Sequence, residues 1–248
     1  MGILAKGHKG FTIIEVMLFL AVSGALAAGV LGGSSVAINN QRYVDAANSF
    51  KAVVQEEFIN TTRVANLRDA NTNFTCPADP ASEARPRGAS DCVIVGRLVS
   101  IATSGEMTRS NIIGVEPTAA PTTPAPANDI EAIKAYTLTI DEFGQETTEM
   151  SWGTSIHRGG SENQAASIII LRAPSGNVLS FVDTQAITSS GSLKDYVDSS
   201  RADNSILKTL CVATSGWTVA QMQAVVIPAY ASTPSVVEQR QIEDTACN

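Results

Sequence analysis

A lone carboxylate sits inside an otherwise apolar stretch: from Phe11 to Ile38 the only ionisable side chain is Glu15. An acid at bilayer depth costs about 2.5–3.5 kcal/mol on insertion scales, so a carboxylate kept there implies a partner. An ammonium attracts it strongly in low dielectric, and either charge left alone is costly. The chemistry open to Glu15 is therefore ion pairing that sets the register between packed helices. The four cysteines, Cys76, Cys92, Cys211 and Cys247, all follow this stretch. An even count in an oxidising compartment points to two disulfides. Three pairings are open. Cys76–Cys92 with Cys211–Cys247 is favoured because each closes a local loop, and each bridge would add about 2–4 kcal/mol. Free buried thiols are the bland alternative. A zinc site is disfavoured: no C-x-x-C pair is present, and apart from His8 only His157 stands ready as a further ligand.

Catalytic patterns are sparse. Ser205-Ile206-Leu207-Lys208 matches S-x-x-K, but the S-D-N and K-T-G that accompany it in penicillin-binding enzymes are absent. There is no G-x-S-x-G, no Gly-rich phosphate loop and no H-E-x-x-H. His157, beside Arg158-Gly159-Gly160, reads as an exposed loop residue. Asp141, Glu142, Glu146 and Glu149 cluster around Gly144 and read as a solvated loop at a strand end; their spacing does not fit a calcium loop. Trp152, in a Gly/Ser-rich segment, and Trp217, after Gly216, read as core or turn-packing residues. No catalytic residue, metal or cofactor is expected, and the chain is not expected to be an enzyme.

The elements that must position Glu15 are legible. A short basic leader with Lys6 and Lys9 meets Gly10, and the apolar run begins at Phe11. A secretory signal has an apolar region of roughly 7–15 residues ending in a small-residue cleavage site. Here the run is longer and the glycine precedes it, so any cut leaves the helix on the mature protein. A spanning helix needs about 20 mostly apolar residues, and 11–38 suffices. Beyond it, Tyr43, Ala47, Phe50, Val54 and Phe58 recur at three- and four-residue spacing, the stripe of an amphipathic helix. Arg42, Asp45, Lys51, Gln55 and Glu56 fall largely off that stripe. No proline interrupts Phe11 to Pro77. The spacing predicts one helix from Phe11 to about Val64, roughly 80 Å long. Gly24, Gly29, Gly32 and Gly33 in its apolar half allow close helix approach or local melting.

A polar, turn-rich region follows from Asn66 to Asp91, with Pro77, Pro80, Pro86 and Gly88. Cys92–Ile101 reads as a strand. Residues 116–128, rich in Pro, Thr and Ala, read as an extended surface loop. Tyr136, Leu138 and Ile140 alternate with threonines as in a half-buried strand. Ser167–Arg172 and Val178–Val182 flank Ala173-Pro174-Ser175-Gly176-Asn177 and read as a hairpin. Leu207–Ala213 and Gln223–Ile227 are further strands. One long helix followed by strands predicts an α+β fold: a long N-terminal helix, its first half membrane-spanning, packed against an antiparallel β-sheet head. The expected divisions are leader 1–10, transmembrane or filament-core helix 11–38, amphipathic continuation 39–65, and globular head 66–248.

Gly10, Phe11, Thr12, Ile13 and Glu15, with the apolar helix after them, resemble the type IV pilin and pseudopilin family over roughly the first 55 to 60 residues. The resemblance implies that a prepilin peptidase cuts after Gly10, that Phe11 becomes the N-methylated N-terminus, and that Glu15 pairs with the free amine of a neighbouring subunit. It implies as partners the membrane before assembly, an inner-membrane assembly platform and other pilin subunits in a helical filament. The chain would sit first in the bacterial cytoplasmic membrane and then in an extracellular pilus or a periplasmic pseudopilus. It departs from many major pilins in lacking a proline in the apolar helix. Its length tilts the reading towards a minor pilin. The alternatives are a tip adhesin or DNA-capture module on a pilin stem, and a pseudopilin of type II secretion.

Composition agrees with an exported structural subunit. The 17 basic residues include Lys6 and Lys9; without these two, 15 face 24 acidic residues, a formal net charge of −9. A nucleic-acid surface would show a basic patch, and none is evident.

Overall fold

The computed structural model describes residues 11–63, 73–79, 81, 83–86, 88–117, 125–157, 163–214, 216, 221–242 and 247. The leader with Gly10, Val64, Asn66, Pro80, residues 118–124 of the Pro/Thr/Ala-rich stretch, Arg158-Gly159-Gly160, Trp217 and Asn248 lie outside them.

Helix α1, Ile13–Arg63, is one unbroken helix of 51 residues, about 76 Å at 1.5 Å per residue. The four glycines of its apolar half do not break it. Its second half buries Tyr43, Ala46, Ala47, Phe50, Val54, Glu57, Phe58 and Thr61, which includes every member of the stripe.

Among the described residues the head contains two antiparallel sheets. The first has the order β3-β2-β1-β5-β6, formed by Thr137–Glu149, Glu106–Val115, Cys92–Ile101, Ala166–Arg172 and Val178–Asp183. The second has the order β4-β7-β8-β9, formed by Ser155–His157, Lys208–Ala213, Met222–Ile227 and Glu238–Ile242. Short helical turns lie at Ser151–Gly153 and Pro234–Val236. Every paired strand is antiparallel, and β5 and β6 form the hairpin across Ala173–Asn177.

The five-stranded sheet is covered on both faces. Val99, Ile101, Ile168 and Ile170 face α1 and the second sheet in one core. Leu98, Ile169, Leu171 and Phe181 belong to a second core, closed by Ile133 of α2 (Asp129–Ala135) and by Leu193, Tyr196 and Val197 of α3 (Ser190–Asp198). This explains the unbroken Ile168-Ile169-Ile170-Leu171 run: a strand buried on both faces has no polar side. Both short helices carry side-chain caps, Asn128 Oδ1 accepting from the Glu131 N–H at 2.9 Å and Ser189 Oγ from the Ser192 N–H at 3.2 Å.

Two readings of the sequence are corrected. His157 is buried in β4, opposite Cys211 in the register, not in an exposed loop. Asp141, Glu142, Glu146 and Glu149 lie within the long strand β3 rather than in a loop beyond its end. Pairing with β2 carries β3 that far, through a register shift between Arg109 and Asn111. Strands β2, β4 and β9 and helices α2 and α3 had no counterpart in the sequence reading.

Candidate functional site

The N-terminal end of α1 is held by a local motif. The Glu15 N–H donates to Thr12 Oγ1 at 3.2 Å, and the Glu15 carboxylate accepts from the Thr12 N–H at 3.2 Å. This reciprocal pair is a Thr-x-x-Glu capping box, which satisfies orphan donors of the first turn. Glu15 therefore caps its own helix within the single chain, a local role the sequence reading overlooked. Both residues are exposed, so the carboxylate stays accessible to a second partner.

From Phe11 to Ile38 no residue of the helix is buried. Phe11 is 83% exposed and Leu31 70%. A contiguous apolar surface of this extent has no equilibrium place in water. The helix is long and apolar enough to cross a membrane.

The second half of α1 is fastened by chemistry as well as by packing. The Tyr43 hydroxyl donates to the Val212 carbonyl and accepts from the Gln223 N–H at 3.0 Å, bridging β7 and β8 of the second sheet. Burial pushes the Tyr43 phenol above its usual range. Glu57, fully buried, meets Arg97 Nε of β1 at 2.5 Å and Arg109 Nη1 of β2 at 3.5 Å. Arg97 Nη1 also reaches Asn111 Oδ1 at 2.5 Å, and Arg109 joins Glu56 at 3.1 Å and Glu146 of β3. The network links the helix to three strands through charge-assisted hydrogen bonds. Arg109 Nε is buried there with no hydrogen-bond partner among the described residues. Trp152 donates its indole N–H to Asp45 Oδ2 at 3.0 Å and lies under the Arg42 guanidinium, so it packs on α1 rather than in the core.

The cysteines fall in two places. Cys76 is bonded to Cys92 at the start of β1, and Cys211 of β7 to Cys247. The first bridge packs with Ala78 and Ile113, the second with Ala224. The first ties Cys76 to β1 and the second ties Cys247 to β7.

Ser205 lies in a turn, where its N–H donates to Asp203 Oδ1 at 2.8 Å. Hydrogen bonds from Ser205 hold the Asp203 carboxyl below its usual range. His157 lines a cavity of about 190 Å³ between the sheets, shared with Asp183, Lys208 and Leu210. Among the described residues no group of three or more His, Cys, Asp or Glu side chains could hold a metal ion.

Comparison with known proteins agrees with the geometry at the N-terminus. The prokaryotic N-terminal methylation motif matches residues 5–31, a span that contains Gly10, Phe11, Thr12 and Glu15. No curated protein and no solved structure matches the chain. The methylation motif marks precursors that are anchored by an apolar helix, processed by prepilin peptidase and assembled as structural subunits. The motif at residues 5–31 is the class III signal of type IV pilins, and the long apolar helix continuing from it fits that signal.

Proposed function

We propose that the chain is a minor pilin, a structural subunit of a type IV pilus. The observation that carries this reading is the pairing of an N-terminal methylation signal with a helix whose first half is wholly exposed and whose second half is seated on a folded head. Prepilin peptidase would cut after Gly10 and release Phe11, which is then N-methylated. The head would remain outside the cytoplasmic membrane, where an oxidising environment suits Cys76–Cys92 and Cys211–Cys247. The assembly platform would then draw the helix from lipid into a filament, where apolar contacts with neighbouring helices replace those with acyl chains.

Glu15 would change partners in that step. Its capping contacts to Thr12 are exposed and 3.2–3.3 Å long, whereas an incoming Phe11 ammonium offers full charge in a dry setting. Repeating the same head-to-tail contact generates an open helical filament.

Intact-mass and N-terminal peptide analysis of the protein from its native membranes tests the processing. The expected result is a chain beginning at methylated Phe11. A chain still beginning at Met1, with the peptidase active, would overturn it. Subunit counting in purified filaments tests the minor class: a scarce subunit needed for initiation fits, and an abundant one that polymerises alone does not. Filaments confined to the periplasm would instead mark a pseudopilin.

A further inference from the structure

The backbone of Trp152 is left-handed, φ 60° and ψ 26°, a conformation uncommon for a bulky residue. Gly153 follows at φ 65°, so two consecutive left-handed residues aim the indole at α1. There its N–H is held by Asp45 at 3.0 Å, and the Arg42 guanidinium lies 4.9 Å from the ring centroid. Despite both contacts, Trp152 is 48% exposed. Arg42 is exposed too, and among the described residues no carboxylate pairs with it. Arg42 is the first cation after the apolar run, and Ile38 and Val44 beside it leave apolar surface open. Ile38, Gln41, Arg42, Val44, Asp45 and Trp152 share one shallow groove.

The height of this patch follows from the helix. Phe11 and Arg42 are separated by about 46 Å of helix at 1.5 Å per residue, or about 44 Å along the membrane normal at an average tilt of about 20°. A bilayer with its headgroups is about 40–45 Å thick. With Phe11 at the inner headgroups, Arg42 and Trp152 arrive at the outer ones.

We propose that Trp152 and Arg42 form an interfacial anchor that seats the head on the phospholipid headgroups of the outer membrane–water interface before assembly. The proposal rests on Phe11–Ile38 spanning the membrane. Indole rings are favoured at that depth because they combine an apolar body with a polar edge. The guanidinium, stacked on the ring, has donors left for a lipid phosphate. The strained turn at Trp152–Gly153 fixes the ring on the side of the helix where the bilayer ends. Extraction into a filament would break the contact, so the anchor also holds the unassembled subunit at a defined height.

The test uses the full chain carrying Trp217→Phe, reconstituted at low density in vesicles of phosphatidylethanolamine and phosphatidylglycerol. Parallel samples carry bromine on the acyl chains either close to the headgroup or near the chain ends. Shallow bromine should quench Trp152 about twofold and deep bromine much less, as an interfacial indole requires. Arg42→Gln should weaken the shallow quenching and shift the emission to the red. The difference between the wild-type chain and Trp152→Phe supplies the same quantity without altering Trp217. A chain that resists carbonate extraction, yet whose Trp152 ignores both bromines, overturns the anchor alone. Emission that responds to protein density and not to bromine also overturns it, because a second copy then covers the ring. A chain that carbonate removes overturns the membrane-spanning reading and the anchor with it.

Discussion

From Ile13 to Ile38 no described residue of α1 is buried, whereas from Tyr43 to Thr61 one face of the same helix is sealed against both sheets. The first stretch is apolar on every side, and the second is apolar on one stripe only. A helix apolar all round must be buried on every side by lipid or by other helices, and one with a single stripe needs a single surface. One continuous backbone thus carries two different surfaces. Among the described residues the head packs on the second half of α1, so the exposed first half can change its surroundings without disturbing that core.

This division can be broken at several points, and the largest effect is expected at Glu57. Glu57→Ala removes the fully buried carboxylate from between Arg97 and Arg109. Breaking a buried pair on one side costs about 3–5 kcal/mol, to be read from urea unfolding of the head in detergent. Phe58→Ala, at 0% exposure, should cost about 3–5 kcal/mol as well, through lost burial and a cavity. Phe19→Ala, 69% exposed in the first half, should leave the same transition unmoved. Equal losses at Phe58 and Phe19 would end the comparison.

Reduction of the two bridges comes next, at about 2–4 kcal/mol each. The expected readout is alkylation of all four cysteines only after reductant is added. Tyr43→Phe is smaller: it leaves the Val212 carbonyl and the Gln223 N–H without their partner, at about 1–3 kcal/mol. The raised phenol of Tyr43 also sets a sign. Its contribution is complete below the unfolded value of 10.0 and is lost as pH rises from there through the folded value. The urea midpoint of the head should therefore fall as tyrosinate absorbance rises in alkaline titration. The smallest effect on the head is expected from Glu15→Ala, which should leave its unfolding midpoint unchanged while abolishing incorporation into filaments. Wild-type incorporation would show that the Glu15 charge is dispensable.

Apart from the alternating start of β3, the strands legible in the sequence share one property. β1, β5, β6, β7 and β8 are mostly β-branched and apolar residues and mostly buried in place, and such runs declare themselves locally. β2 did not, because Arg109, Ser110 and Asn111 interrupt it. Those polar residues are there for partners on other elements: Arg109 for Glu57 and Glu146, Asn111 for Arg97, Ser110 for Gln145. Glu57 hid in the same way, a charged residue on the buried side of an otherwise apolar stripe. Thr12 with Glu15 was the reverse case. The Thr-x-x-Glu spacing is a local signal for the capping box, and the charge of Glu15 masks it.

What the chain's own order of residues determined is whatever depends on near neighbours: the signal around Gly10 and Phe11, the uninterrupted helix, the stripe from Tyr43 to Phe58, the hairpin at Ala173–Asn177. What tertiary structure decided is whatever depends on residues far apart meeting: two sheets instead of one, the burial of His157 opposite Cys211, the ion network around Glu57, and the turn that lays Trp152 on Arg42 and Asp45. Periodicity records which face of an element avoids water. It does not record which polar side chain will find a distant partner that makes its burial tolerable.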